Sequence, residues 1–372
     1  MKDTLAIIFA FKKSEQMKSM TQMRSLPSVP FGGRYRLIDF ALSNIVNSGI
    51  TKVGIVTRTN YQSLMDHLGT GKEWDLNRKK DGLFVLPPFL TEKSNGGLYR
   101  GAMEALLNAE SFIRMSNHEH VLLTDADAVC NMTYEEALEF HKKKKADITI
   151  IYKRGNYPQE AGEEDESCFI RTDENDRVVD VSINPVVGRE KRSMDMVIID
   201  KSLLSTLIWE CHNRSAYSFY LDVVAHRLKD LNIYGFEYTG AYYPINSIVS
   251  YYKTNMMLLD EEARREIFNK PVYTKVHDDV PNLVLEGASV KNSLISDGCI
   301  IQGTVENSIL SRGVKVRPGA VVRNSIIMQG CEIQAGSRLE YVISDKNVVV
   351  RENTKVISHP LYPMVIEKGS VV

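Results

Sequence analysis

Short apolar runs alternate with stretches of helical periodicity over residues 1–250. The apolar runs are typical of buried strands, predicted at 5–10, 52–57, 120–124 and 146–153. The periodic stretches predict helices at 37–47, 61–68 and 101–112, and a fourth that follows a capping box of Thr133 and Glu136 and ends at 141–145. This order predicts an α/β domain, a Rossmann-like fold with a mostly parallel sheet covered by helices. Its ligand site is expected at the carboxyl ends of the strands.

After residue 280 the pattern changes to a short internal repeat. The segments NSLISDG, NSILSRG and NSIIMQG begin at residues 292, 307 and 324, and apolar residues between them recur about every six positions. In a solenoid each coil buries its apolar side only against the next coil. We therefore predict a left-handed parallel β-helix over 281–372 with coils of about 18 residues, and a helical linker over 251–280.

Composition and charge narrow the classes of function. The 372 residues contain 46 Lys and Arg against 47 Asp and Glu, a formal net charge of -1 that gives no global attraction for nucleic acid. The chain has no apolar stretch of about 18 residues, and the apolar run near residue 5 lacks a cleavage site, so we expect a cytoplasmic protein without a membrane segment. The five cysteines are scattered, and we expect them to be reduced packing residues.

The run HKKKK at 141–145 could be basic enough to bind phosphate. A helix that ends in lysines is more simply a solvated terminus whose positive charges complement the helix dipole. We therefore predict that this run is a solvated helix end.

The segment PFGGRYRLIDF at 30–40, followed by LSN at 42–44 and NSG at 47–49, closely resembles the amino-terminal signature of bacterial glucose-1-phosphate adenylyltransferases. GTGKEWDLNR at 69–78 continues the likeness, which extends over essentially the whole chain. That family joins glucose 1-phosphate to ATP, giving ADP-glucose and pyrophosphate. Such a reaction requires a glycine-rich turn, cationic side chains and Mg²⁺ around the phosphates.

The resemblance also identifies what this chain has lost from the nucleotide loop. Active members carry a GGxGxR-like turn after the first strand, where this chain has AFKKSEQ at 10–16. Side chains replace the glycines, which would hinder the approach of the backbone to a triphosphate. The degenerate loop comprises Phe11, Lys12, Lys13, Ser14 and Gln16.

Three further positions that the family uses for phosphate or metal are also replaced. Leu26 stands at a phosphate-binding lysine, Asn184 at the sugar-phosphate lysine and Pro244 at the second metal carboxylate. The first metal carboxylate survives as Asp127, which we interpret as vestigial. Asp125 lies two residues earlier and would share its face if the strand extends that far.

Because each lost transition-state interaction costs about 10²–10³ in rate, these replacements predict negligible catalysis by the chain itself. The pattern resembles the GlgD-type subunit, a non-catalytic relative in bacterial glycogen biosynthesis. It implies a regulatory subunit without a required cofactor, partnered by a Mg²⁺-dependent catalytic glucose-1-phosphate adenylyltransferase subunit in a hetero-oligomer, a tetramer by family resemblance. One alternative is a weakly active or altered-substrate nucleotidyltransferase. Another is a β-helix acyltransferase that would depend on His359.

Family members bind phosphorylated sugar effectors, and the amino-terminal region supplies basic side chains that could do so here. The candidate effector or anion-binding residues are Lys12, Lys13, Lys18, Arg24 and Arg34.

Overall fold

The computed structural model describes residues 1–12, 14–88, 99–157 and 167–372. The chain forms two compact units. The first comprises Met1–Lys12, Phe40–Ala126 and Cys130–Tyr242, and the second comprises Lys13–Asp39, Asp127–Val129 and Tyr243–Val372. Lys13–Asp39 and Asp127–Val129 of the second unit lie within the range 1–250 that is predicted as the α/β domain.

The helices and the strands outside the repeat region follow the predicted alternation. The α-helices are α1 (Lys18–Thr21), α2 (Leu37–Asn47), α3 (Gln62–Leu68), α4 (Ala102–Asn108), α5 (Glu110–Arg114), α6 (Glu135–Lys144), α7 (Lys201–Arg214), α8 (Ile248–Met257) and α9 (Glu261–Ile267). The strands are β1 (Thr4–Phe9), β2 (Pro30–Phe31), β3 (Tyr35–Arg36), β4 (Lys52–Val56), β5 (Gly82–Leu86), β6 (His120–Asp125), β7 (Ala128–Cys130), β8 (Ile148–Arg154), β9 (Cys168–Thr172), β10 (Val178–Ile183), β11 (Lys191–Asp200), β12 (Ile233–Glu237) and β13 (Tyr242–Pro244).

The first unit is built on a mixed sheet in the order β10-β9-β11-β6-β1-β4-β5, with β8 also paired to β11 and β12 paired to β8. The strands β6, β1, β4 and β5 run parallel, as the sequence predicts. Every residue of β1 is buried, which requires cover on both faces of the sheet. Phe9 pairs with Asp125, so the carboxyl ends of β1 and β6 are level. The loop after β1 therefore leaves the sheet beside the end of β6.

Three helical predictions need correction. The predicted helix 101–112 is two helices, because Ala109 (φ -92°, ψ 0°) leaves the helical conformation between α4 and α5. Helix α6 begins at Glu135 with Tyr134 as its N-cap residue, one position later than a capping box of Thr133 would give. The run 141–145 is not uniformly solvated, since His141 is 1% exposed.

The repeat region of the second unit is a left-handed parallel β-helix, as predicted. Its strands are β14 (Leu283–Val284), β15 (Ser289–Lys291), β16 (Leu294–Ile295), β17 (Ile300–Ile301), β18 (Thr304–Glu306), β19 (Ile309–Leu310), β20 (Lys315–Val316), β21 (Val321–Arg323), β22 (Ile326–Ile327), β23 (Glu332–Ile333), β24 (Arg338–Glu340), β25 (Val342–Ser344), β26 (Val349–Val350), β27 (Lys355–Ile357) and β28 (Met364–Ile366). They form three parallel sheets of five strands each, around an interior of apolar side chains.

The Asn-Ser pairs of the repeat build one corner of this helix. Asn292, Asn307 and Asn324 have φ of 41°, 47° and 45°, a left-handed conformation that asparagine tolerates better than most residues. The next residue forms a ladder between coils, because Ser325 N donates to Ser308 Oγ at 3.1 Å, and Ser308 N likewise to the serine below. The repeated dipeptide is therefore a structural device of the solenoid.

Two expectations about the whole chain can be compared with the described residues. Within those ranges, no helix is both long enough and apolar enough to cross a membrane. All five cysteines are buried and free of disulfides, as predicted.

Candidate functional site

The loop that follows β1 directs side chains onto the carboxyl edge of the sheet. Phe11 is half-buried and packs against two aromatic rings, with centroids 5.6 Å from Phe9 and 5.3 Å from Tyr99. Lys13 lies outside the described residues. The sequence predicts that this loop lacks the glycine-rich turn of the family. In the structure, the aromatic side chain of Phe11 in this loop packs against the hydrophobic core of the first unit.

Lys12 lies between two carboxylates of the same unit. Its Nζ is 2.9 Å from Asp195 Oδ2 and 3.4 Å from Asp125 Oδ2. The lysine side chain is 29% exposed, and the two aspartates are 14% and 20% exposed. Partial burial lowers the effective dielectric, so both attractions are stronger than in a fully exposed pair. The ammonium therefore supplies the cation that these carboxylates require.

Asp195 reaches Lys12 because of an irregularity in β11. The pairing of β11 with β8 shifts register between Ser193 and Met196, and Asp195 adopts φ 55° within this bulge. The backbone N–H of Asp195 donates to Ser193 Oγ at 3.1 Å, and that hydroxyl is 2.7 Å from the Tyr220 hydroxyl. Burial raises the pKa of Tyr220 well above its usual value, so it remains a neutral hydrogen-bonding group. The bulge is therefore held by neighbouring side chains.

The other loop residues belong to the second unit and have structural contacts there. The Ser14 hydroxyl donates to the backbone oxygen of Asn246, and Gln16 is exposed. Leu26 is 3% exposed within a short 3₁₀ turn, Leu26–Ser28. A buried leucine in this turn contributes to packing and offers nothing to a phosphate.

Asp127 lies outside the regular strand. Strand β6 ends at Asp125, so the alternation that would place Asp125 and Asp127 on one face does not extend to Asp127. Asp127 is 8% exposed, and its backbone oxygen accepts a hydrogen bond from Ile245 N at 2.7 Å, next to Pro244 in β13. Among the described residues, neither aspartate belongs to a group of three side chains close enough to share a metal ion.

Asn184 closes a turn in the first unit. It has φ 44°, its backbone N–H donates to Ser167 O at 3.0 Å, and its Oδ1 accepts from Ser167 N at 3.0 Å. These two hydrogen bonds tie both the backbone and the side chain of Asn184 to Ser167. The position that the family uses for sugar phosphate is therefore occupied here by a residue that fixes the backbone.

The segment that carries the family resemblance is scaffold in this structure. Gly32 and Gly33 have φ of 59° and 78°, and an added Cβ would meet Leu258 at 2.9 Å and Ser296 at 2.7 Å, respectively. The Gly32 amide donates to Asn255 Oδ1 at 2.9 Å, all within the second unit. These glycines are required for close packing in the second unit.

The remaining candidate anion-binding residues occupy different environments. Lys18 is exposed, 3.5 Å from Glu15. Arg34 is exposed on an open cleft of the second unit, whose other basic residues are Arg264, Lys275, His277 and Arg312. Lys12 belongs to the first unit, whereas Lys18, Arg24 and Arg34 belong to the second.

Arg24 is buried in the second unit and makes a two-pronged contact with Asp345. Its Nη2 lies 2.7 Å and 2.6 Å from the two carboxylate oxygens, and the two side chains are only 4% and 3% exposed. Among the described residues, Arg24 Nη1 is a buried nitrogen with no hydrogen-bond partner. Burial, with Arg36 and then Arg24 as neighbouring positive charges, lowers the pKa of Lys346 to about 7. Arg24 Nη1 is therefore an unused donor in this cluster, next to a lysine whose charge changes near neutral pH.

Sequence reasoning missed Asp195 as the partner of Lys12, and it missed Arg36, Asp345 and Lys346 as neighbours of Arg24. The only signal for Asp195 is an aspartate in the middle of an otherwise apolar strand segment, SMDMVII at 193–199. A polar residue in such a segment indicates a bulge or a site, but it does not identify its partner.

Replacement of Lys12 by methionine should destabilise the first unit. It leaves two partly buried carboxylates facing each other without a cation, so we expect the free energy of unfolding to fall by about 1–2 kcal/mol. Denaturant titration at low ionic strength measures this change. Replacement of Asp195 by asparagine in the same chain should restore part of the loss.

Lys18→Met is the matched control, because the exposed pair with Glu15 should change stability by no more than about 0.5 kcal/mol. Equal stability of Lys12→Met and the wild-type chain would contradict the ion-paired arrangement.

Comparison with known proteins agrees with this architecture. A family model described as Nucleotidyl transferase matches residues 5–183, and one described as GlmU-like, C-terminal hexapeptide matches residues 280–360. The glycogen biosynthesis protein GlgD of Bacillus subtilis (strain 168) is 35% identical over 371 residues, which cover 99% of this chain and 96% of that protein. The GlgD protein of Geobacillus stearothermophilus is 37% identical, with 85% of this chain and 82% of that protein covered. The glucose-1-phosphate adenylyltransferase of Thermosipho africanus (strain TCF52B) is 32% identical, with 86% and 78% covered. The chain therefore belongs to the GlgD-type family of glycogen biosynthesis proteins related to glucose-1-phosphate adenylyltransferases.

Proposed function

We propose that this chain is a non-catalytic, regulatory subunit that associates with a catalytic glucose-1-phosphate adenylyltransferase in bacterial glycogen biosynthesis. The observation that carries the proposal is the position of Lys12 between Asp125 and Asp195, at the sheet edge where a nucleotide and a metal ion would bind. The ammonium occupies the place of a cation between the two carboxylates and offsets one of their two negative charges.

The chemistry of nucleotidyl transfer explains why this arrangement opposes catalysis. The reaction needs donors and a divalent cation aimed at charge that develops on the phosphates. Here Lys12 is committed to aspartates, Phe11 continues the core, and Leu26 is buried. Asp127 is retained, but it is a single carboxylate. The alternative of a weakly active enzyme requires the ion pairs of Lys12 with Asp125 and Asp195 to break first. His359, on which an acyltransferase would depend, is exposed and lies beyond the clear repeats.

The first coil of the β-helix offers a surface for the partner subunit. Strand β14 pairs only with β17 on one side, which leaves its outer edge unpaired among the described strands. Leu283 and Val284 in β14 are 50% and 54% exposed, and Val280 before it is 70% exposed. An unpaired edge with exposed apolar side chains is prone to association with another chain. We propose that the catalytic subunit covers this coil.

We also propose that the Arg24 cluster is the effector site of this subunit. A phosphorylated ligand would accept a hydrogen bond from the free donor of Arg24 and pair with the charged form of Lys346. The open cleft around Arg34 is the competing site, in which Arg264 Nη1 donates to Leu258 O at 2.9 Å and Arg312 lies 3.5 Å from Asp279.

Activity measurements on three preparations test the subunit role. We expect no ADP-glucose synthesis from the chain alone above background, basal synthesis from the catalytic subunit, and several-fold higher synthesis from the co-purified pair. Leu283→Glu should abolish both co-purification and activation, because it places a charge on the apolar edge.

Leu361→Glu serves as the control, since Leu361 is 55% exposed at the other end of the β-helix. Turnover by the isolated chain at a rate comparable to that of the catalytic subunit would overturn the proposal. Activation that survives Leu283→Glu would overturn the assignment of the surface.

Binding of sulfate as a function of pH tests the effector site, because sulfate does not itself titrate near neutral pH. Lys346 has a pKa of about 7, so its charged form, which attracts the anion, is lost as pH rises above 7. We expect the affinity to fall by up to about tenfold per pH unit above 7. In Lys346→Met this dependence should disappear.

Arg34→Gln is the control for the open cleft and should leave sulfate affinity unchanged. Loss of sulfate binding in Arg34→Gln, with Arg24→Gln behaving as wild type, would place the anion in the cleft and reject the Arg24 cluster.

A further inference from the structure

Two histidines and an aspartate converge at the edge of the first unit's sheet opposite to Lys12. His120 begins β6, Asp200 ends β11, and the two are paired residues of the antiparallel register. His141 lies in the last turn of α6. His120 Nδ1 is 2.9 Å and His141 Nε2 is 3.4 Å from the same oxygen, Asp200 Oδ1. Three elements distant in sequence thus bring three ligand atoms to one point.

We propose that His120, His141 and Asp200 bind one Zn²⁺ ion. Tetrahedral Zn²⁺ with bonds of about 2.0–2.2 Å to imidazole nitrogen and carboxylate oxygen keeps its ligand atoms roughly 3.3 Å apart. The two separations from Asp200 Oδ1, 2.9 Å and 3.4 Å, bracket this value, and each of the three residues offers a ligand atom within 4.8 Å of the other two. A small opening of the His120–Asp200 pair is sufficient to admit the ion.

The second hydrogen bond of His141 supports this role. His141 Nδ1 is 2.8 Å from Thr149 Oγ1, so the ring is fixed with its Nε2 directed at Asp200. An outer partner of this kind is typical of metal-binding histidines.

The surroundings provide charge and access. The carboxylates of Asp3 and Glu119 lie within 4.8 Å of a ring nitrogen of His120, and Lys142 pairs with Asp3. With Asp200 this gives three carboxylates near two histidines, an environment that favours a divalent cation. The Asp200 side chain is 41% exposed, whereas His141 is 1% exposed. A fourth ligand, water, can therefore enter from the side of Asp200.

The site has a structural role in this proposal. It joins the end of α6, the start of β6 and Asp200, the N-cap residue of α7, at the sheet edge remote from Asp125. Zn²⁺ bound there would hold these elements together without taking part in nucleotide chemistry. The proposal is independent of the regulatory function.

Equilibrium titration of the EDTA-treated full-length chain with Zn²⁺ alone tests the site. We expect one ion per chain and a rise in the melting temperature. His120→Gln and Asp200→Asn, whose side chains reach solvent, should each weaken binding by more than the roughly 10–100-fold cost of losing an outer-shell partner. His212→Gln, an exposed histidine of the same unit, should bind as wild type.

Co²⁺ gives a second measurement, which reports the coordination of the bound ion directly. Bound Co²⁺ should show the visible absorption of a four-coordinate ion in the wild-type chain and lose it in His120→Gln. Absence of saturable Zn²⁺ binding by the wild-type chain would overturn the proposal, and so would wild-type affinity in both His120→Gln and Asp200→Asn.

Discussion

The ion pairs of Lys12 with Asp125 and Asp195 decide what the carboxyl edge of the first unit's sheet can do. Parallel pairing of β1 with β6 places the loop after β1 beside Asp125, and the bulge in β11 directs Asp195 to the same lysine. Two carboxylates close together beside the end of β6 are a natural place for a divalent cation. Here one covalently attached ammonium pairs with both carboxylates and offsets one of their two negative charges.

Scaffold and chemistry are separable in this chain. Gly32 and Gly33 are needed for close packing in the second unit, whereas Leu26 and Asn184 stand where the family handles phosphate and have structural contacts instead. A chain can lose phosphate-binding groups while the fold remains stable, because those groups contribute little to the core. Such a chain keeps its surfaces and can still influence a homologue through association.

Sequence predicted the architecture well because periodicity is a local property. The Asn-Ser repeat at 292, 307 and 324 identified the β-helix, and its physical basis is a left-handed corner with a serine ladder. The candidate site was only partly predictable. The degenerate loop could be recognised from missing glycines, but the partner of Lys12 could not, since Asp195 is 183 residues away in sequence. For the same reason the pairing of Arg24 with Asp345 and the burial of His141 depend on tertiary contacts that no local pattern records.

The most direct measurement is equilibrium binding of ATP to the isolated chain, with and without Mg²⁺, followed by the same titration of Lys12→Met. If the ammonium takes the place of the metal, Mg²⁺ should not strengthen nucleotide binding to the wild-type chain, and removal of Lys12 should make binding Mg²⁺-dependent. Tight, Mg²⁺-dependent ATP binding by the wild-type chain would contradict the account.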